Sequence, residues 1–171
     1  MADYADAILR AARGRPRPLA LCGWSLGGLA AMMAAARVDP DGLVLLEPSA
    51  PAEAAGTDPT VPLSPGLLDP VETYGAFPPG LRARPDSRLA RAERKRGVSV
   101  PSLDCPTLVV HGDELPPERG AALAAHYGTD AIHVPGATHW DLVLDPEIRR
   151  RVAEWLSVIS DDRRLSEGGT P

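Results

Sequence analysis

The chain has 171 residues, enough to bury one substantial core, and a formal net charge of −5. An acidic balance lacks the basic surface that phosphate backbones require, so no nucleic-acid partner is expected. No apolar run is long enough to span a bilayer, and the two cysteines, Cys22 and Cys105, form neither a disulfide framework nor a zinc pattern. A cytoplasmic, membrane-free protein without metal or cofactor is the expectation.

In chain order, "DYADAILRAA" carries its apolar residues on one face and reads as an acidic amphipathic helix, without the pattern of a signal peptide. "RPLALCGWS" is a short apolar run, read as a strand buried on both faces, with Cys22 as a small core residue. Alanine, leucine and methionine from Leu26 to Ala36 favour helix, and "VDPDG" is a turn. "LVLLEP" is a second apolar strand, stopped by Pro48. Ten of the nineteen prolines then fall between Pro48 and Pro101, which excludes regular sheet or a long helix there, although "PDSRLARAERKRG" reads as a short helix ending at Gly97.

"CPTLVVHGDE" is a third strand, "PPERGAALAAHYG" a helix closed by Gly128, and "AIHVPG" a fourth strand. The last helix, "DPEIRRRVAEWLSVIS", has Asp145 as N-cap and Pro146 at its first position. Ile148, Val152, Trp155, Leu156 and Ile159 make its apolar stripe, and residues 161–171 read as a disordered tail. Alternating strands and helices give a mainly parallel sheet between helical layers, a three-layer α/β/α domain over residues 1–160. Function gathers at the carboxyl ends of such strands.

Three loops at those ends carry chemistry. After the first strand, "GWSLGG" places Ser25 between glycines where strand becomes helix, so that its hydroxyl is exposed at a helix N-terminus. The dipole and free N–H groups there favour developing negative charge, and the N–H of Leu26 is the expected oxyanion donor. A phosphate loop is disfavoured because no lysine follows the glycines. After the fourth strand, "PGATHWD" places His139 in a loop, and a serine hydroxyl needs such a base to act as a nucleophile. A carboxylate must then orient the imidazole. Asp113 and Glu114 follow the third strand and Glu47 follows the second, so three acids compete.

These motifs resemble the C-terminal two-thirds of an α/β hydrolase, over roughly residues 3–160. "GWSLGG" is similar to the family's nucleophile elbow, in wording close to carboxylesterases of the biotin-pathway type; "HGD" resembles the penultimate-strand motif and "PGATHW" the histidine loop. The order Ser, acid, His agrees with the family. The resemblance implies an acyl-serine hydrolase of small esters or thioesters, and the serine disfavours a dehalogenase or epoxide hydrolase. In the family the acid usually sits three residues after the glycine of "HG", which here is Leu115. Some members place it after the strand that follows the elbow helix, where Glu47 falls. Glu47 also leaves an apolar strand, a costly place for an idle carboxylate. It is preferred to Asp113, and Asp113 to Glu114.

Family members carry about four strands before the elbow, and one of their loops supplies a second oxyanion N–H. This sequence begins at the helix before the elbow strand, so an N-terminally truncated hydrolase is expected. Loss of one such donor costs about a hundred- to a thousandfold in rate. The strand "PLALC" would then be an apolar edge open to a second copy or a partner chain, and a catalytically impaired, self-associating fragment is the rival reading.

The Pro-rich segment 48–101 corresponds to the family's cap. Leu67, Leu68, Tyr74 and Phe77 read as packing of that cap, and its arginines and lysine as a solvated face, with an acidic ligand as the sharper alternative. Trp24 and Trp140 flank Ser25 and His139 and are candidates for the pocket wall.

Overall fold

A computed structural model gives the structure; it describes residues 1–82, 84–114 and 117–167. Among these, four strands form a parallel sheet: β1 (Ala20–Trp24), β2 (Gly42–Leu46), β5 (Thr107–His111) and β6 (Asp130–His133), in the spatial order β1-β2-β5-β6. The register pairs Trp24 with Leu46, Leu46 with Val110, and His111 with His133. The strands therefore end in line, and Ser25, Glu47, Gly112 and the loop after β6 emerge at one rim.

The helices α1 (Ala2–Ala12), α2 (Leu26–Val38) and α5 (Pro117–Tyr127) cover one face, and α6 (Asp141–Leu144) and α7 (Pro146–Glu167) the other. The period of two in β2 sends Leu43 and Leu45 into the first core and Val44 and Leu46 into the second. Both β2 and β5 are buried at every position, as strands covered on both faces must be. The strand β1 is the sheet edge that the truncated reading expects, but it is not buried on both faces: its burial alternates, and Cys22, expected in the core, is exposed. Cys22 shares the side of Val44, where α7 packs against β2 and leaves β1 outside its cover.

Asp145 accepts the backbone N–H of Glu147 at 2.7 Å at the start of α7, and the Trp155 indole donates to Asp130 at 2.8 Å, tying α7 to β6. The helix runs on to Glu167, past residue 160 where the sequence reading ends it; residues 168–171 lie outside the described residues. No helix among the described residues is long and apolar enough to cross a membrane.

The segment between β2 and β5 is built of short pieces, as its prolines require. A 3-10 turn at Ala52–Ala54, a two-residue antiparallel pair β3 (Leu67–Leu68) and β4 (Asp86–Ser87), and helices α3 (Pro70–Tyr74) and α4 (Arg88–Arg96) follow one another. The Ser87 hydroxyl accepts from Ala90 N at 3.2 Å to start α4, and Gly97 at φ 100° ends it. Neither α3 nor α6 is foreseen from the sequence, because a single turn carries no period to recognise.

Candidate active site

Ser25 takes φ 54° and ψ −125°, a conformation that costs a non-glycine residue about 1–3 kcal/mol and persists only where neighbours impose it. Its N–H donates to Leu46 O at 3.1 Å, and its carbonyl accepts from Gly28 N at 3.0 Å and Ser49 N at 2.9 Å. The sheet, the helix start and the next loop thus all hold the same peptide. The Ser25 hydroxyl does not cap α2. Two glycines make the turn possible by close approach. A Cβ at Gly23 would lie 2.6 Å from Gly27 O, and one at Gly28 would lie 2.5 Å from Pro48 Cβ. Nothing lies within 4 Å of a would-be Cβ at Gly27. Leu26 is the first residue of α2, and its N–H has no acceptor within the helix by position.

Glu47 follows β2 with φ 41° and is only 5% exposed. Its backbone N–H donates to Val110 O at 2.8 Å. One carboxylate oxygen accepts Gly112 N at 3.3 Å, and the other lies 2.5 Å from His139 Nδ1. His139 comes from the loop before α6. The Trp24 indole donates to its carbonyl at 3.1 Å, Glu114 accepts its backbone N–H at 2.6 Å, and the Trp24 ring lies 4.6 Å from the imidazole. Backbone, ring and Nδ1 are each fixed, and Nε2 is left for other contacts.

Asp113 has a different station. It lies 2.6 Å from His133 Nε2 and accepts Gly136 N at 2.6 Å. These two hydrogen bonds hold its carboxyl below the usual carboxylate range. Of the three competing acids, the imidazole of His139 meets Glu47; Asp113 clamps the loop after β6, and Glu114 holds the His139 backbone. Leu115 lies outside the described residues.

Ser25, Leu26, Glu47 and His139 line one cavity of about 890 Å³. Trp24 and Trp140, candidates for its wall, are not among the residues that line it, and Trp24 packs against the second core. Their rings are 5.0 Å apart, and Phe77 reaches Trp140 at 4.9 Å. The Pro-rich segment and α5 contribute Tyr74, Arg91, Arg94, Lys95 and Arg119 to the lining of the cavity. Sequence reasoning took the basic run as a solvated face and passed over Arg119. Helical spacing within α4 was the available signal for Arg91, Arg94 and Lys95; for Arg119 there was none.

His111, at the end of β5, also lines the cavity and is 5% exposed. Its ring stacks on that of His133 at 4.9 Å, and its Nδ1 is buried without a hydrogen-bond partner. Burial, first of all, pushes its pKa down, and the neighbouring His133 adds to this.

The sequence matches no family profile and no curated protein. Solved structures do match. MGS-MChE2, an alpha/beta hydrolase enzyme from the metagenome of lagoon sediments at Mar Chica, Morocco, superposes with TM-score 0.59 at 15% identity over 91% of this chain and 69% of its own. The monoacylglycerol lipase of Paleococcus ferrophilus gives 0.56 at 23% identity over 92% of this chain and 74% of its own. BorB, the type II thioesterase of the borrelidin biosynthetic cluster, gives 0.57 at 20% identity, over 94% and 70%. At these identities the likeness is one of fold.

Proposed function

We propose, on the premise that this chain has the α/β-hydrolase fold, that it hydrolyses a small ester or thioester through an acyl-serine intermediate. Ser25 is the nucleophile, His139 the general base and Glu47 the acid. The observation that carries this reading is the 2.5 Å contact of His139 Nδ1 with the buried Glu47, beside the same cavity that Ser25 lines. With Nδ1–H bound to the carboxylate, Nε2 takes the serine proton as Oγ attacks the acyl carbon. The negative charge that develops on the acyl oxygen meets the N–H of Leu26 and the N-terminal dipole of α2. The tetrahedral intermediate collapses, and His139 returns the proton to the departing alcohol or thiol. Water then enters by the same route, and the acyl-serine bond breaks to give the acid. The carboxylate of Glu47 stabilises the imidazolium in both halves. The segment 48–101 serves as the cap over this site.

Labelling with a fluorophosphonate ester tests the reading. The chain is expected to form one covalent adduct, at Ser25, and Ser25→Ala and His139→Ala are expected to form none. A folded sample that stays unlabelled, or an adduct that survives Ser25→Ala, overturns it.

A second reading rests on β1. Among the described residues no strand pairs with its outer edge, and Ala20 and Cys22 are exposed. Such an edge offers free N–H and C=O groups to a second copy of the chain. Concentration-dependent dimerisation in sedimentation velocity, weakened by Cys22→Lys, supports that reading; a monomer at all concentrations removes it.

A further inference from the structure

The cavity that Ser25 lines also carries four cations, Arg91, Arg94, Lys95 and Arg119, and its carboxylates are already engaged. Glu47 is held by His139 and Gly112, Glu114 by the His139 N–H, and Asp58 by the N–H and hydroxyl of Thr60. The cations are less evenly matched. Arg91 has Asp86 at 3.6 Å and lies over the Tyr74 ring at 5.1 Å. Lys95 has the Asp58 charge nearby. The guanidinium groups of Arg94 and Arg119 make no hydrogen bond or ion pair among the described residues, and Arg119 stands near the N-terminal end of α5, whose dipole adds positive potential.

Arg94 is half-buried, and burial followed by the like charge of Arg91 pushes its pKa down, with Arg119 adding a smaller push. A half-buried guanidinium beside like charges costs stability unless an anion relieves it, and here Arg91 and Arg119 are the like charges next to Arg94. A planar guanidinium pair fits an oxygen anion by two-point hydrogen bonding.

We propose that Arg94 and Arg119, flanked by Arg91 and Lys95, form a subsite for an anionic group at the end of the substrate remote from the scissile bond. The substrate class is then an ester or thioester that carries a carboxylate or a phosphate. This rests on the acyl-serine reading for the position of the scissile bond, but the anion site itself does not. These cations line the same cavity as the nucleophile, so an anion held there would draw its carrier chain over Ser25. Binding energy at the remote end would then orient the acyl carbon.

Calorimetric binding to the Ser25→Ala chain tests this without turnover. The probes are monomethyl glutarate, ethyl 4-phosphonobutyrate and the neutral methyl glutaramate. One or both anions are expected to bind at least about tenfold more tightly than the neutral amide, and added salt should erode the difference. A preference for the carboxylate or for the phosphonate says which anion the site takes. Arg94→Gln and Arg119→Gln should each bring the anions to the level of the amide, and Arg94→Lys should retain part of the preference. Equal affinity for all three probes, or an equal loss for all three in the Gln variants, overturns the proposal. Fluorophosphonate labelling of the unaltered chain reports separately on the acyl-serine reading, so failure of either is told from failure of the other.

Discussion

Three non-glycine residues among those described have positive φ: Ser25, Asp39 and Glu47. Asp39 is the left-handed cap of α2, an ordinary use of that conformation. The other two stand in the cavity wall. Glu47 combines a strained backbone with a buried carboxylate, and neither would be retained without return, since glycine would relieve the first and an apolar side chain the second. What it gains is a partner on each oxygen, Gly112 N and His139 Nδ1. Glu47→Gln keeps the shape and removes the charge that fixes the imidazole tautomer. On p-nitrophenyl acetate it is expected to lower kcat by about a hundred- to ten-thousandfold. Asp113→Asn, whose carboxyl serves His133 and Gly136, should change kcat less than about threefold. The reverse order of effects would move the acid to Asp113.

At the scale of the element, the turn from β1 into α2 sets how close the helix comes to its own strand and to the loop after β2. The contacts beneath Gly23 and Gly28 are with backbone and with a proline ring, neither of which can swing aside. Gly23→Ala or Gly28→Ala is expected to destabilise the chain by about 1–3 kcal/mol or more, as over-packing does. Gly27→Ala meets nothing and lies inside a helix, so it should be neutral or stabilise by about 0.5–1 kcal/mol. Denaturant unfolding of the three variants reads the difference.

The same element shows what a sequence can carry. Apolar runs and glycine punctuation made β1, α2, β2, β5 and α7 legible, and with them the loops that carry Ser25 and His139, because those signals are local. The preference for Glu47 over Asp113 came from its place at the end of an apolar strand; what no spacing along the chain expresses is the register, Leu46 pairing Val110, that sets Glu47 beside Gly112. The exposure of Cys22 was hidden for a similar reason. A strand's covering layer lies far away in sequence, and apolar letters alone do not say which strand is outermost. The basic run of α4 was legible, with an acidic ligand as its sharper reading, but Arg119 was not, because it comes from a different segment and shares only the cavity with Arg94.

At the scale of the whole molecule, two cores share one sheet, and the loops at its carboxyl rim are knitted together by a small polar cluster. His111 ends β5, His133 ends β6, and the Asp113 carboxylate spans from His133 to the turn at Gly136. The His111 ring also lies so close to α5 that a Cβ at Gly120 would meet its Cγ at 2.3 Å. The imidazole therefore joins β5, β6 and α5 as a packed neutral group. Burial and the adjacent His133 push its pKa below 6.5, against weaker opposing pulls from Gly112, Glu47 and Asp113. In the unfolded chain the same side chain takes its proton near 6.5. Between those two values the unfolded state binds more protons than the folded one, so stability falls as pH falls. Above the unfolded value the contribution is present in full; below the folded value the loss is complete. Asp113 acts in a lower window. Its carboxyl is depressed from 3.8, so its contribution is present above that value and fades as pH drops through the folded one. Unfolding midpoints measured from about pH 7 to about pH 3 should therefore decline in two stages. His111→Asn, which cannot titrate, should flatten the upper stage and leave the lower one in place, while Asp113→Asn should do the opposite. An upper stage undiminished in His111→Asn would show that the rim loosens through another group.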